Sequence, residues 1–180
     1  MNDWNVVITA QQDGYPDARQ ILGALGTVHA TDYFNVLVMR VDDPRRLLES
    51  LRDWIDEEPG ILNFISHVIP VTDGFNFSSP DEFEKRARET VEPWIDQLKA
   101  RRFHVRMHRR GFKERISSQE EEQFLDHYIQ ERLKDEGSAA SIDFDDPDII
   151  IDVETVGQRA GLSLWTRSDL ERYGAILGVD

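Results

Sequence analysis

Eight cations crowd into seventeen residues of this chain: Lys99, Arg101, Arg102, Arg106, Arg109, Arg110, Lys113 and Arg115. Glu114 is the lone acid among them, and His104 and His108 lie within the run. Guanidinium and ammonium groups at this density offer charge-assisted, often bidentate hydrogen bonds to phosphate, so they point to recognition of a nucleic-acid backbone. The rest of the chain opposes that reading, since its 180 residues carry 35 Asp+Glu against 21 Lys+Arg, a net charge of -14. What decides where a polyanion can dock is the distribution of charge, not its sum. The competing reading is a solvated face whose cations pair with the protein's own carboxylates. Phe112, beside the cluster, could stack on a base or pack on its own domain.

A second constellation is acidic: Asp143, Asp145, Asp146 and Asp148, with Asp152 and Glu154 beyond. Hard cations take several carboxylate oxygens, yet the run lacks the twelve-residue calcium-loop pattern and its glycine. It reads instead as a turn rich in aspartate leading into a strand. His104 and His108 stand about 13 Å apart along a strand, too far to share a metal, and neither is expected to be a ligand. The chain has no cysteine. It also has no Gly-rich phosphate cradle, no Gly-x-Ser-x-Gly elbow and no His-Glu-x-x-His, so no catalytic machinery is nominated and no metal or nucleotide cofactor is expected. The N-terminus lacks a signal-peptide pattern, and no apolar run approaches the roughly 18 residues of a membrane span; the expectation is a cytoplasmic protein without a membrane partner.

The elements that must position these residues alternate regularly. Residues 6–10 are β-branched and apolar, a strand; Pro16, with Ala18, Ile21, Leu22 and Leu25 at helical spacing, predicts a helix that Gly26 ends. Two further strand-like runs cover 27–31 and 34–41, and Asp43-Pro44 caps a helix whose Leu47, Leu48, Leu51, Trp54 and Ile55 line one face. Pro59-Gly60 stops it, and 61–71 reads as a long strand. The order is β-α-β-β-α-β, the split pattern of a ferredoxin-like fold.

Turn residues without periodicity at 72–79 place a domain boundary there, dividing 1–74 from 75–180. Ser79-Pro80-Asp81-Glu82 is a capping box opening a helix that Pro93 should kink or split. Phe103, Val105 and Met107 then alternate with His104, Arg106 and His108, so a strand turns its apolar and polar sets to opposite faces. Ser117 or Ser118 caps an amphipathic helix ended by Gly137, strands follow at 141–144, 149–153 and 161–165, and a short helix at 166–173 closes an α/β (α+β) chain.

Residues Phe103 to Phe112, Ser117-Ser118 with its helix, Ile142-Asp143-Phe144, Asp146-Pro147-Asp148, the strand from Ile149 to Glu154, and Gly157 through Gly161-Leu162 together resemble the THUMP domain over roughly 80–170. The resemblance implies a tRNA-binding module preceded by a ferredoxin-like domain, which the pattern of residues 1–71 suggests independently. Such paired domains are usually fused to a catalytic partner, and the sequence ending at Asp180 looks like the stand-alone branch, similar to the adaptor that helps a separate acetyltransferase make acetylcytidine in tRNA. On that resemblance Arg102, Arg106, Arg109, Arg110, Lys113 and Arg115 become RNA-contacting candidates, with Arg159 in a glycine-flanked loop as a weaker one. The expected partners are tRNA, held through its acceptor end, and a tRNA-modifying enzyme acting in trans. The alternative is an acidic protein-interaction module that has lost RNA binding.

Overall fold

The computed structural model describes residues 3–178, which pack as two units: one holds the described residues up to Val71 and those from Asp169 on, the other Thr72–Ser168. In the first unit, β1 (Val6–Ala10) is followed by α1 (Tyr15–Gly23), β2 (Val28–Ala30), β3 (Val36–Met39), α2 (Pro44–Glu57) and β4 (Ile65–Pro70). The four strands form an antiparallel sheet in the order β2-β3-β1-β4, with Val7 between Val38 and Ile69. This is the ferredoxin-like order, in which each crossover strand lies beyond the one inserted between its ends.

Local chemistry accounts for the boundaries. Asp43 accepts a hydrogen bond from the Arg46 N–H at 3.0 Å, capping α2, whose Leu47, Leu48 and Leu51 are buried. Gly14 precedes α1 because a Cβ there would stand 2.5 Å from the Phe64 Cα. The strand expected over 61–71 starts only at Ile65, since Pro59–Asn63 first forms a 3-10 turn that buries Ile61.

In the second unit the residues expected to be a linker contain a strand, β5 (Asp73–Asn76). It is followed by α3 (Pro80–Val91), α4 (Ile95–Leu98), β6 (Arg102–His108), α5 (Ser118–Asp135), β7 (Ser141–Ile142), β8 (Ile149–Val156) and β9 (Arg159–Thr166). Ser79 caps α3 by accepting from Glu82 N–H at 3.2 Å, and Pro93 separates α3 from α4 by a 3-10 turn at Glu92–Trp94. The sheet order is β5-β9-β8-β6-β7, with β6 parallel to β7 and β8, and β9 antiparallel to β8 and β5. Its core packs Phe103 and Val105 of β6 and Ile151 and Val153 of β8 against Phe83, Leu125 and Ile129 from the helices.

Residues from 75 on were expected to form one domain, but the last helix, α6 (Arg167–Leu177), joins the first unit from Asp169 onward. Charge explains the attachment: Arg172 reaches Glu49 at 2.8 Å, Tyr173 donates its hydroxyl to the same carboxylate, and Arg45 meets Asp169 at 2.5 Å. The Arg172 guanidinium and the Tyr173 hydroxyl lower the Glu49 carboxyl to about 2.

Candidate nucleic-acid interface

Period two sends Phe103, Val105 and Met107 into the core and leaves His104, Arg106 and His108 on the opposite face of β6. Parallel register with β8 then sets Arg106 opposite Asp152 and His108 opposite Glu154. Arg106 binds Asp152 at 2.5 Å, His108 Nδ1 lies 2.6 Å from Glu154, and Arg110 holds the other oxygen of Glu154. Both carboxylates have no exposure at all. Burial pushes the Asp152 carboxyl up, a shift that the Arg106 charge opposes. On His108 burial pulls the other way, but the Glu154 hydrogen bond and charge outweigh it and the net shift is upward.

The remaining strand cations are also occupied. Arg102 contacts Asp146 at 2.6 Å and Asp148 at 3.2 Å, and Arg167 takes the same two carboxylates at 2.7 and 3.1 Å. The Arg102 backbone N–H and guanidinium drive the Asp148 carboxyl far below the ordinary range. Asp143 uses Oδ1 to accept from the Asp145 and Asp146 N–H groups. The run 143–148 is therefore an aspartate turn clamped by two arginines. Lys99 is held by Asp96 and Glu136 at 2.5 and 2.8 Å.

Beyond β6, Arg110 aside, the pattern changes. Arg109 donates to the Gly111 carbonyl at 2.5 Å, Arg115 lies over the Phe112 ring at 4.7 Å and reaches the Ser78 carbonyl at 3.4 Å, and Lys113 is exposed. Among the described residues none of these three meets a carboxylate. Phe112 packs on its own domain, its ring 4.8 Å from that of Phe77. Arg159, on β9, turns its guanidinium to Asn76 at 3.5 Å.

Two side chains of α5 fix the end of β6 that leads into this loop. Beyond Phe103 the short β7 no longer covers the edge of β6, and Asp126 and Glu122 take its place, accepting from the Val105 and Met107 N–H groups at 3.1 and 2.7 Å. Buried sheet edges need such partners. Burial raises the Asp126 carboxyl to about 7 despite that bond, and likewise raises nearby Glu121, which has Glu84 and Glu120 as like-charged neighbours, to about 7.

His108, Asp152 and Glu154 bring one ligand atom each within 4.8 Å of one another, a donor set suited to a divalent metal. Arg106 and Arg110 already neutralise both carboxylates, so a further dication would meet two fixed positive charges. The arrangement fits a closed ion-pair network better than a metal centre. Asp152 and Glu154 were read from sequence only as the tail of an acidic run; the signal that could have found them is their parity, two acids at alternate positions of an apolar strand.

Residues 77–164 match the family model of the THUMP domain. The second unit is a THUMP domain. The chain is also similar in structure to TrmN from Thermus thermophilus, at 16% identity and a TM-score of 0.60 over 88% of this chain and 44% of that one. PH1313 from Pyrococcus horikoshii gives 13% identity and a TM-score of 0.59 over 88% and 53%. A 4-thiouridine synthetase solved in complex with RNA and ATP gives 18% and 0.55 over 90% and 41%. At these identities the likeness is one of fold, and this chain spans about half the length of those proteins. No curated protein matches its sequence. The THUMP unit thus carries two kinds of basic residue: Arg102, Arg106 and Arg110 locked to carboxylates, and Arg109, Lys113 and Arg115 in the loop between β6 and α5.

Proposed function

We propose that this protein is a non-catalytic tRNA-binding module that presents tRNA, through its acceptor end, to a separate modifying enzyme in the cytoplasm, an acetyltransferase making acetylcytidine being the expected partner. The observation that carries the reading is the loop: three cations without a carboxylate partner, grouped on the THUMP unit of an otherwise acidic chain. The names of the structural relatives point the same way, since one is a thiouridine synthetase captured with RNA. The lack of a nucleophile elbow, a metal-binding helix motif or a phosphate-binding glycine loop supports a role in binding over one in chemistry. No helix among the described residues is long and apolar enough to cross a membrane.

The pairing of Arg102, Arg106 and Arg110 favours a second reading, an acidic module that docks a basic protein and has lost RNA binding. A binding series with whole tRNA and with an acceptor minihelix, run from low to high salt, separates the two. Phosphate contacts make log affinity fall linearly with log salt. The adaptor requires binding to both RNAs with such a slope; absence of binding to either at low salt leaves the docking module.

A further inference from the structure

In the loop between β6 and α5, Arg115 and Ile116 both donate their N–H groups to the Phe112 carbonyl, at 3.0 and 3.1 Å. The N–H groups of Gly111, Phe112, Lys113 and Glu114, the four residues before them, have no acceptor among the described residues. The backbone that carries these amides is held in an uncommon shape: φ is +99° at Gly111, +50° at Phe112 and +68° at Glu114, in the left-handed region that side chains disfavour. Packing fixes it there. The Phe112 ring packs against that of Phe77, at 4.8 Å, and carries the Arg115 guanidinium over it, at 4.7 Å, while Thr155 accepts from the Arg110 N–H at 2.9 Å where the loop leaves β6. Arg109, Lys113 and Arg115 share the loop with these four unsatisfied donors, and Glu114 is the single acid in it. Successive free amides in a turn with left-handed residues are groups suited to an anion with several oxygens.

We infer that this loop is a phosphate cradle, in which the amides of residues 111–114 bond the oxygens of one RNA phosphate while Arg109, Lys113 and Arg115 neutralise that phosphate and its neighbours. The inference rests on the RNA-binding reading and adds to it the backbone as the primary ligand. Phe112 is then a positioning residue that holds the amides in place, and Glu114 weakens the site by its charge. The phosphate could be an internal diester or a terminal group, and both offer the same oxygens.

The test is amide NMR of the full chain labelled with nitrogen-15. Three probes are compared: an unphosphorylated single-stranded oligoribonucleotide, the same oligomer with a 5′-phosphate, and a nucleoside. The expected result is a downfield shift of the amide protons of 111–114 with the oligomers and none with the nucleoside. Equal shifts from the two oligomers assign an internal diester; shifts from the phosphorylated one alone assign a terminal phosphate. A second variant, Glu114→Gly, removes the acid and suits the positive φ, and it should bind tRNA several-fold more tightly with its melting temperature unchanged or raised. If tRNA binds while the four amides stay still and Glu114→Gly leaves affinity unchanged, the cradle is overturned and RNA binding stands. If tRNA does not bind at all, both fall.

Discussion

Two groups of basic residues, adjacent in sequence, meet opposite fates in this molecule. Arg106 and His108 occupy alternate positions of β6 and face, in parallel register, the two acids at alternate positions of β8. Arg109, Lys113 and Arg115 follow where the strand has ended; Arg110, in the same loop, still reaches Glu154 of β8, but these three meet no carboxylate among the described residues. A cross-strand neighbour is the unit of sheet stabilisation, and a cation on a strand is therefore claimed by whatever its register supplies. A cation beyond the reach of β8 is claimed by no such register. The density of positive charge in 99–115 reports neither outcome; the partners of the strand residues lie 46 positions further along the chain.

The comparison breaks most visibly at Arg106→Ala. Removing Arg106 takes from the fully buried Asp152 its hydrogen-bonded counter-charge and leaves it His108, at 3.6 Å, a loss of about 3–5 kcal/mol. Denaturant unfolding should show a fall of that size, and any folded fraction should keep the wild-type salt slope for tRNA. A stable Arg106→Ala protein with a reduced slope would move the RNA contact onto the strand.

Two buried acids of α5, Asp126 that braces the end of β6 and nearby Glu121, give a smaller effect with a distinctive pH dependence. Glu121 and Asp126 have folded values near 7, above their ordinary ones, so the native state holds their protons more tightly than the unfolded chain does. Stability from these groups is therefore present at low pH and lost as pH rises from about 4 to about 7. Groups with lowered values, such as Glu49 and Asp148, work in the opposite sense and lose their contribution as the solution is made more acid than about pH 4. Maximum stability is expected between about pH 4 and pH 5. Glu121→Gln should raise the unfolding free energy at pH 8 by on the order of 2 kcal/mol, seen as a higher denaturant midpoint, and flatten the decline above pH 5. An unchanged pH profile in that variant would show that Glu121 does not carry the decline.

In the loop the effects on folding should be smallest. Lys113→Ala, at an exposed position, should change stability by no more than about 0.5 kcal/mol. It should nevertheless weaken binding to different tRNAs about equally, since phosphate contacts fix position without reading sequence. Comparison of two tRNAs of unrelated sequence by filter binding checks this.

Much of this organisation was legible in the residues. The aspartate and serine caps, the period-two strand at 103–108 and the β-α-β-β-α-β order all rest on local chemistry, and the THUMP resemblance over roughly 80–170 meets the family match at 77–164. Two elements were not. Asp73–Asn76 carries an Asp-Gly pair that reads as a turn, yet an edge strand against β9 tolerates glycine where a central strand would not. The last helix belongs with the first unit through Glu49, 123 residues away from Arg172, a pairing no local pattern encodes. The site divides along the same line: parity showed which side chains of β6 share a face, whereas the register that gives Arg106 to Asp152 exists only once the strands pair.

The most direct measurement is the slope of log affinity against log salt for tRNA, compared between two variants that both leave the fold standing. One is Arg109→Ala, Lys113→Ala, Arg115→Ala in the loop; the other is Arg102→Ala, which removes a partly exposed clamp on Asp146 and Asp148. Each lost phosphate contact lowers the slope by somewhat under one unit. The loop variant should lose about two to three units and most of its affinity, and Arg102→Ala should match the wild type. A loop variant with the wild-type slope, together with a reduced slope in Arg102→Ala, would contradict the assignment of RNA contact to the loop.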